Sequence, residues 1–289
     1  MNTLEINQVS KKYQHFALDK ISFSLPSGYI MGFIGPNGSG KTTTIKLIMN
    51  LIQKDRGTIK LFGLDNIVHE KQVKEKIGFV YDENYYYEEL NLLEMAKIMA
   101  SFYRQWDQNA FLSFLREFQV NPKIKIKELS KGMNMKSSLA VALSHKAQLL
   151  IMDEPTSGLD PIVRNEFLDI LSWIIQDEEV SVLFSTHITS DLEKIADYIT
   201  LIHNGKIVFS ENKDSIFDQY FLVKGENRQL NTELKSRLVG WRVQKFGFEG
   251  LIREKDNIPV PARAHLIIEK PTLDDIMLYT VKEGLSCSV

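Results

Sequence analysis

With 289 residues, of which 44% are hydrophobic and 25% charged, the chain has room for one large globular domain or two modest ones. Its formal net charge of -2 at pH 7 gives no electrostatic argument for nucleic-acid binding, since domains that bind nucleic acid usually carry a basic excess. The single cysteine, Cys287, excludes an internal disulfide and is typical of a cytosolic protein.

The N-terminus carries no secretory signal pattern, because residues 1–8 alternate polar and apolar side chains as a strand does. No stretch approaches the roughly 18 to 20 apolar residues that cross a bilayer. We therefore expect that, if the protein acts at a membrane, another chain spans it.

Four short segments in the first part of the chain have the pattern of β-strands. Residues 4–9 and 21–25 alternate with a period of two, which predicts a small antiparallel sheet. Residues 58–62 and 77–81 are predicted as further strands.

A glycine-rich run at residues 35–43 fits the pattern G-x-x-x-x-G-K-[ST] and lies between an apolar strand pattern at residues 29–34 and a helical pattern at residues 44–49. Glycines let backbone N–H groups point at phosphate oxygens, and the helix N-terminus adds a favourable dipole. We expect Lys41 to reach the β- and γ-phosphates of a nucleotide and the Thr42 hydroxyl to ligate Mg²⁺. The candidate nucleotide ligands are Gly35, Pro36, Asn37, Gly38, Ser39, Gly40, Lys41, Thr42 and Thr43.

Helical periodicity over about residues 83–145 predicts a helical insertion between strands. Its first helix begins at Asn91, with Glu94 at the capping-box spacing, a second spans about residues 108–118, and a third follows Ser130. The first helix carries an apolar stripe formed by Leu92, Met95, Ala96, Met99, Phe102, Tyr103 and Trp106.

Strand patterns return at residues 149–152 and 180–184, with a helical stretch at residues 162–176 between them. This order of strand, helix and strand predicts a buried parallel sheet. Residues 198–202 and 206–209 are joined by a short turn, which predicts a hairpin.

Residues 211–289 are polar and mixed in composition and predict a small appended subdomain. A strand pair is expected within residues 241–252, and a further strand at residues 265–268. A capped helix is expected after Thr272, because Asp275 follows at the capping-box spacing.

Two adjacent acids, Asp153 and Glu154, follow the apolar strand at residues 149–152. A carboxylate at the C-terminal end of a parallel strand, near a phosphate loop, suits Mg²⁺, and Asp153 is the candidate. Glu154 is the candidate general base for the attacking water. Two solvated acids in a loop are the alternative, which the phosphate loop in the same chain disfavours.

The run Leu-Ser-Lys-Gly-Met at residues 129–133, taken alone, indicates a serine cap and a glycine at a helix start. Its position upstream of Asp153 favours a second interpretation, in which the helix N-terminus binds phosphate. Ser130 and the Gly132 N–H are therefore candidate phosphate ligands.

The order of these motifs resembles that of the nucleotide-binding subunit of an ATP-binding-cassette (ABC) transporter. The resemblance covers about residues 2–210 and rests on the phosphate loop, residues 129–133, residues 149–154, residues 157–160 and His187. It implies an α/β fold with a P-loop NTPase core built on a parallel sheet, an N-terminal antiparallel β subdomain and the helical insertion.

The resemblance also implies an ATPase that uses ATP and Mg²⁺ and drives a separate transmembrane permease subunit. Such a chain dimerises around two ATP molecules with a second copy of itself or a paralogous subunit. It is cytoplasmic and peripheral on the inner face of the cell membrane, and it has no nucleic-acid partner. The motifs are most similar to those of bacterial exporters of drugs or of antimicrobial and phenol-soluble-modulin peptides.

Several residue roles follow from the resemblance alone. It implies that residues 157–160, including Asp160, contact the partner's site, and that His187 contacts the γ-phosphate and orients Glu154. Tyr13 matches the aromatic residue that stacks on adenine. Without the resemblance, a lone histidine after a strand is more often structural, and Tyr13 is a loop tyrosine.

The chain departs from the family pattern at two places. Asp82 stands where the family usually carries a glutamine, and a carboxylate brings a charge but no amide donor; Asp82 is kept as a metal-proximal candidate. Lys131 and Met133 replace the commonest glycine and glutamine within residues 129–133.

Three consecutive tyrosines, residues 85–87, follow the Asp82 position and are flanked by Glu83, Glu88 and Glu89. In the family this region lies near the groove that receives a coupling helix of the membrane subunit. We expect these side chains to line that groove. Burial of one or two of the tyrosines in the core is the alternative.

Three alternatives to an exporter subunit stay open. An ABC importer ATPase shares the motifs, because cargo contacts lie on the membrane chain. A soluble cassette ATPase that acts on ribosomes or DNA generally carries two cassettes or a long coiled coil. A P-loop kinase leaves the motifs after the phosphate loop unexplained.

Overall fold

The computed structural model describes residues 1–81, 87–254 and 265–281. Its contacts divide the chain into two compact units, Met1–Ser210 and Glu211–Val289. The first unit combines two sheets with helices, and the second is a small sheet with short helices.

Strands of the first unit are, in chain order, β1 (Asn2–Lys12), β2 (Ala17–Pro26), β3 (Ile30–Ile34), β4 (Arg56–Leu61), β5 (Leu64–Asp65), β6 (Ile77–Tyr81), β7 (Leu149–Asp153), β8 (Ser181–Thr186), β9 (Tyr198–His203) and β10 (Lys206–Asn212). Its helices are α1 (Lys41–Ile48), α2 (Glu70–Lys74), α3 (Leu92–Ala100), α4 (Gln108–Glu117), α5 (Lys131–Ser144), α6 (Pro161–Ile174) and α7 (Thr189–Ile195). Apart from the C-terminal end of α3, the predicted strands and helices of this unit are confirmed within a few residues at their ends.

A four-stranded antiparallel sheet has the order β2-β1-β4-β5. Strand β1 lies between β2 and β4, and Glu5 pairs with Ser24 on one side and with Lys60 on the other. Leu4 and Ile6 are buried, as their period-two spacing predicts. The predicted β1–β2 pair is confirmed, and β4 extends the same sheet.

A six-stranded sheet has the order β10-β9-β3-β8-β7-β6. The pairs β6–β7, β7–β8, β3–β8 and β3–β9 are parallel, as predicted. Every residue of β3, β7 and β8 is buried, because helices cover the faces of a parallel sheet. Register places Ile34 beside Thr186 and Asp153 beside Ser185, so the loops after β3, β7 and β8 meet at one edge.

Helices α3, α4 and α5 lie between β6 and β7, where the sequence predicts a helical insertion. Asn91 and Glu94 form the predicted capping box at the start of α3. The prediction that α3 continues to Trp106 is wrong, because α3 ends at Ala100. Trp106 instead packs against Phe111 of α4, with ring centroids 5.4 Å apart.

The second unit contains strands β11 (Tyr220–Gly225), β12 (Leu238–Gln244), β13 (Gly247–Arg253) and β14 (Ile267–Glu269), and helices α8 (Lys213–Gln219), α9 (Thr232–Lys235) and α10 (Leu273–Val281). The sheet order is β12-β13-β11-β14, with antiparallel pairing throughout. Thr272 and Asp275 exchange hydrogen bonds at the start of α10, as the capping-box spacing predicts. Val223, Phe248 and Ile252 centre a separate hydrophobic core.

Candidate nucleotide site

The glycine-rich loop connects the end of β3 to the start of α1 at the edge where the strand ends meet. Gly38 and Gly40 have φ angles of +78° and +116°, a region that side chains disfavour. Gly35 has a different constraint, because a Cβ there would lie 2.2 Å from the Ile202 carbonyl oxygen. The loop therefore needs glycines to take this path.

The N-terminus of α1 leaves backbone N–H groups without a side-chain cap. Gly40 occupies the N-cap position in a left-handed conformation and makes no side-chain cap bond. The Ser39 hydroxyl beside it is buried and has no hydrogen-bond partner among the described residues. Uncapped N–H groups at the positive end of a helix dipole form an anion site.

Lys41 is the first residue of α1 and is buried, with 6% of its surface exposed. Its Nζ donates to the Gly35 carbonyl oxygen at 2.8 Å and lies 3.3 Å from Glu154 Oε1. A buried ammonium group needs such partners to offset its lost hydration. The contacts hold the cation at the mouth of the anion site.

Asp153 ends β7 beside this loop and is 5% exposed. Burial raises the pKa of its carboxyl group, while the Thr42 and Ser185 hydroxyls act in the opposite direction. Its Oδ1 has no hydrogen-bond partner within the described part of the chain. A buried carboxylate oxygen without a partner, beside a threonine hydroxyl, fits the oxygen donor set that Mg²⁺ prefers.

Glu154 is held in an unusual backbone conformation, with φ at +52°. Its N–H donates to the Ser185 carbonyl oxygen at 2.9 Å, which ties the residue to the end of β8. Its Oε2 lies 2.7 Å from His187 Nδ1 and accepts from the His187 N–H at 3.3 Å. A left-handed non-glycine residue costs about 1 to 3 kcal/mol and persists only where its surroundings fix it.

Several of these groups border a cleft of about 640 Å³, whereas Gly35, Ser39 and Asp153 are not on its lining. Seven of the nine predicted loop ligands lie on its wall, together with Glu154 and His187. The complete lining is His15, Phe16, Pro36, Asn37, Gly38, Gly40, Lys41, Thr42, Thr43, Glu154, Ser157 and His187. Sequence reasoning missed His15 and Phe16, and it assigned Ser157 to the partner's site rather than to this cleft.

Tyr13 lies on the same connection between β1 and β2 as His15 and Phe16 but is absent from that lining. Its side chain is 43% exposed, and Lys11 Nζ lies 5.7 Å from the ring centroid. The signal that points to His15 and Phe16 is their place in this short connection, two and three residues after the predicted aromatic Tyr13. Asp82 lies outside the described residues.

Of the residues predicted to contact a partner's nucleotide, Ser130, Gly132 and Asp160 lie outside the lining of the cleft, whereas Ser157 lies on it. Ser130 caps α5 by accepting from the Met133 N–H at 3.2 Å. A Cβ on Gly132 would meet Val163 Cγ1 at 2.4 Å, so α5 packs closely on α6. Asp160 caps α6 through the N–H groups of its first turn.

A second cavity, of about 1150 Å³, is a different feature. It borders Gln148 and Val180, which precede β7 and β8, and so lies at the opposite edge of the sheet from the glycine-rich loop. Trp173 and His145 line it as well. Neither a glycine-rich turn nor a buried carboxylate borders this cavity within the described residues, so it is not the phosphate site.

Comparison with known proteins places the chain in a family. The family model described as ABC transporter matches residues 18–157. A bacitracin transport ATP-binding protein of Bacillus licheniformis is 32% identical over 194 residues, which cover 66% of this chain and 63% of that protein. A lantibiotic transport ATP-binding protein of Streptococcus pyogenes is 30% identical over 228 residues, covering 76% of this chain and 97% of that protein.

A solved ATP-binding subunit of an ABC transporter matches the fold with a TM-score of 0.66 and 27% sequence identity. The match covers 75% of this chain and 92% of that one. The predicted α/β fold with a P-loop core is thereby confirmed. No helix in the described ranges is long and apolar enough to cross a bilayer. The chain belongs to the ATP-binding subunits of ABC transporters, which are ATPases.

Proposed function

We propose that the cleft beside the glycine-rich loop hydrolyses ATP with Glu154 as general base. The observation that carries this proposal is the contact of Glu154 with both Lys41, at 3.3 Å, and His187, at 2.7 Å. These contacts bring a base, a cation and a histidine to the uncapped start of α1, where a phosphate binds best.

In the proposed reaction a water attacks the γ-phosphorus of ATP, and the bond from that phosphorus to the ADP oxygen breaks. Glu154 accepts the proton of the attacking water, and His187 orients the Glu154 carboxylate. Lys41 and the loop N–H groups stabilise the negative charge on the phosphate oxygens. The remaining loop residues and Tyr13 complete the proposed nucleotide contacts.

Thr42 and Asp153 are the proposed holders of Mg²⁺, with Asp82 as a third candidate outside the described residues. When bound there, Mg²⁺ would neutralise negative charge on the phosphate oxygens. The buried, unpartnered Asp153 Oδ1 supports this assignment, because such an oxygen otherwise carries an uncompensated desolvation cost.

A second copy of the chain, or a paralogous subunit, completes the site in this proposal. Ser130, Gly132 and Asp160 lie outside the cleft of their own chain, so we assign them to the nucleotide of the partner. Residues 2–210 then form the ATPase domain, with the helical part at about 83–145, and residues 211–289 an accessory subdomain.

We propose that a separate transmembrane permease subunit is driven by this dimer and that transport is outward. The relatives are named as bacitracin and lantibiotic transport proteins, and a peptide or drug is the corresponding cargo. On this proposal the chain is cytoplasmic, peripheral on the inner membrane face, and has no nucleic-acid partner.

Tyr87, Glu88 and Glu89 are the described part of the proposed docking surface for that subunit. Tyr87 is 77% exposed. Glu89 is paired with Lys127 at 2.8 Å and Lys125 at 3.2 Å, which lower its pKa and occupy its charge within the chain. Substitution of Tyr87 and Glu88 therefore tests the docking surface more cleanly than substitution of Glu89.

Glu154→Gln tests the proposed function. The amide keeps the size of the side chain but cannot accept the proton, so we expect kcat for ATP hydrolysis to fall about 100-fold or more. Binding of ATP, measured with a fluorescent analogue, is expected to persist. Glu117→Gln, on the exposed end of α4, is the matched control. Near-normal hydrolysis by Glu154→Gln would remove Glu154 from its role.

A further inference from the structure

A buried carboxylate outside the cleft anchors the loop that carries Glu154. Asp191, in α7, is 1% exposed and accepts a hydrogen bond from Thr156 Oγ1 at 2.7 Å. It also accepts from Arg164 Nε at 2.5 Å, and the Arg164 Nη2 donates to Ser190 Oγ at 2.8 Å. The pair of Asp191 and Arg164 satisfies the charge that burial would otherwise penalise.

The three side chains come from three segments that surround the reacting groups. Thr156 lies two residues after Glu154, and Asp191 lies four residues after His187. Arg164 is in the first turns of α6, whose N-terminus is capped by Asp160. The Asp191 carboxylate therefore links three segments. They are the loop after Glu154, the segment after His187, and α6, whose cap Asp160 is assigned to the partner's nucleotide.

The backbone around Glu154 explains why such an anchor matters. Glu154 has a positive φ, and the turn behind it closes through the Ser157 N–H to the Glu154 carbonyl oxygen at 3.1 Å. A strained backbone of this kind relaxes unless the following residues are fixed. Thr156 is 1% exposed, and its hydroxyl bond to Asp191 provides that fixation.

We propose that Asp191 is a positioning residue for ATP hydrolysis, which acts through Thr156 to keep the Glu154 carboxylate on His187. Asp191 does not line the cleft and contacts no nucleotide in this scheme. The inference rests on the proposed function, because it assumes that Glu154 is the base. It extends that function by assigning a residue that sets the rate of hydrolysis without setting the affinity for ATP.

A matched pair of variants in the full chain tests the inference. Thr156→Val keeps the shape of the side chain and removes only the donor, whereas Thr156→Ser keeps the donor. We expect Thr156→Val to lower kcat at least about tenfold with KM for ATP within about twofold, since small displacements of a reacting group have effects of this size. We expect Thr156→Ser to keep a kcat close to that of the unchanged chain.

Thermal unfolding of both variants separates positioning from stability. Equal kcat values for Thr156→Val and the unchanged chain would overturn the inference, as would equal losses in both variants. If Thr156→Val does not fold, Asp191→Asn is assayed instead. We expect the same fall in kcat at constant KM. A kcat equal to that of the unchanged chain would overturn the inference. Glu154→Gln, assayed in parallel, distinguishes the two claims: if it stays active the proposed function fails, and if only Thr156→Val stays active the positioning role alone fails.

Discussion

The starts of α1 and α5 both carry glycine and a lysine, yet they are built differently. At α1 the cap residue is Gly40, no side chain bonds the first N–H groups, and Lys41 is buried against Gly35 and Glu154. At α5 the cap residue is Ser130, whose own hydroxyl oxygen accepts from an N–H of the first turn.

This difference indicates which of the two helix starts can bind the phosphates of a nucleotide in its own chain's cleft. The start of α1 faces a cleft that also holds Glu154 and His187, so its cation and N–H groups meet the reacting groups directly. The start of α5 is capped and packed on α6, away from that cleft. On the proposed function, α5 serves a second copy, and each cleft is half of a composite site.

Lys41→Ala gives the largest expected effect on the α1 side of this comparison. Loss of the buried cation removes the charge that faces the phosphates, and we expect kcat/KM for ATP to fall about 100-fold to 1,000-fold. Lys46→Ala, in the last turn of the same helix, is the control and is expected to stay active. Equal activity of the two variants would place the phosphates elsewhere.

His145, the C-cap residue at the other end of α5, leads to a prediction of how the stability of the chain depends on pH. Burial lowers the pKa of His145 to about 4, and the ring stacks on Tyr103 at 3.8 Å between centroids. The unfolded chain takes up a proton below about pH 6.5 and the folded chain does not, so stability falls by about 3 kcal/mol as pH drops from there to about 4.

Urea unfolding of the unchanged chain and of His145→Gln across this pH range measures the effect. We expect the variant to be less stable at neutral pH but to lose less stability on acidification, because the titrating ring is gone. If the free energies of unfolding of the two proteins change with pH in the same way, the pKa of His145 does not differ between the folded and the unfolded chain. That result would contradict the prediction.

Gly35→Ala and Gly38→Ala separate two reasons for glycine in the phosphate loop. A Cβ at position 35 meets the Ile202 carbonyl oxygen, and we expect a loss of about 3 kcal/mol of stability. A Cβ at position 38 meets nothing within 4 Å, so only its positive φ is unfavourable, at about 1 kcal/mol. Denaturant unfolding that ranks the two variants in the reverse order would contradict the loop geometry.

Ser130→Gly gives the smallest expected change in stability and sharpens the α5 side. Glycine is a nearly equivalent cap, so we expect a loss of only about a few tenths of a kcal/mol. ATP hydrolysis is nevertheless expected to fall about tenfold, because the proposed phosphate contact uses the hydroxyl. If the rate of ATP hydrolysis by Ser130→Gly stays close to that of the unchanged chain, the Ser130 hydroxyl acts only as the cap of α5.

Local patterns predicted most of the fold. Strand periodicity located β1 and β2, continuous apolar runs located β7 and β8, and the Asn91 capping box located the start of α3. Short elements were missed, among them α2, α7, α8 and β11, because segments of five to seven residues have little periodicity and are fixed by tertiary packing.

The site was predictable where the chemistry sits in one continuous motif. The loop at residues 35–43 and the pair Asp153 and Glu154 belong to this class. Contacts between segments that are far apart in the sequence were not predictable. Examples are Phe16 beside the glycine-rich loop and Asp191 beside Thr156. Nothing in the local sequence of Asp191 distinguishes it from a solvated helix acid, since its burial comes from the packing of α6 and α7.

Mixing two inactive variants tests the composite site most directly. Lys41→Ala disables the phosphate loop, and Ser130→Phe blocks the start of α5, where residue 130 is exposed and tolerates a larger side chain. Each variant alone is expected to be inactive. In an equal mixture we expect about a quarter of the unchanged activity, because half of the dimers are mixed and each mixed dimer holds one complete site. A mixture no more active than the two variants assayed separately would contradict the account.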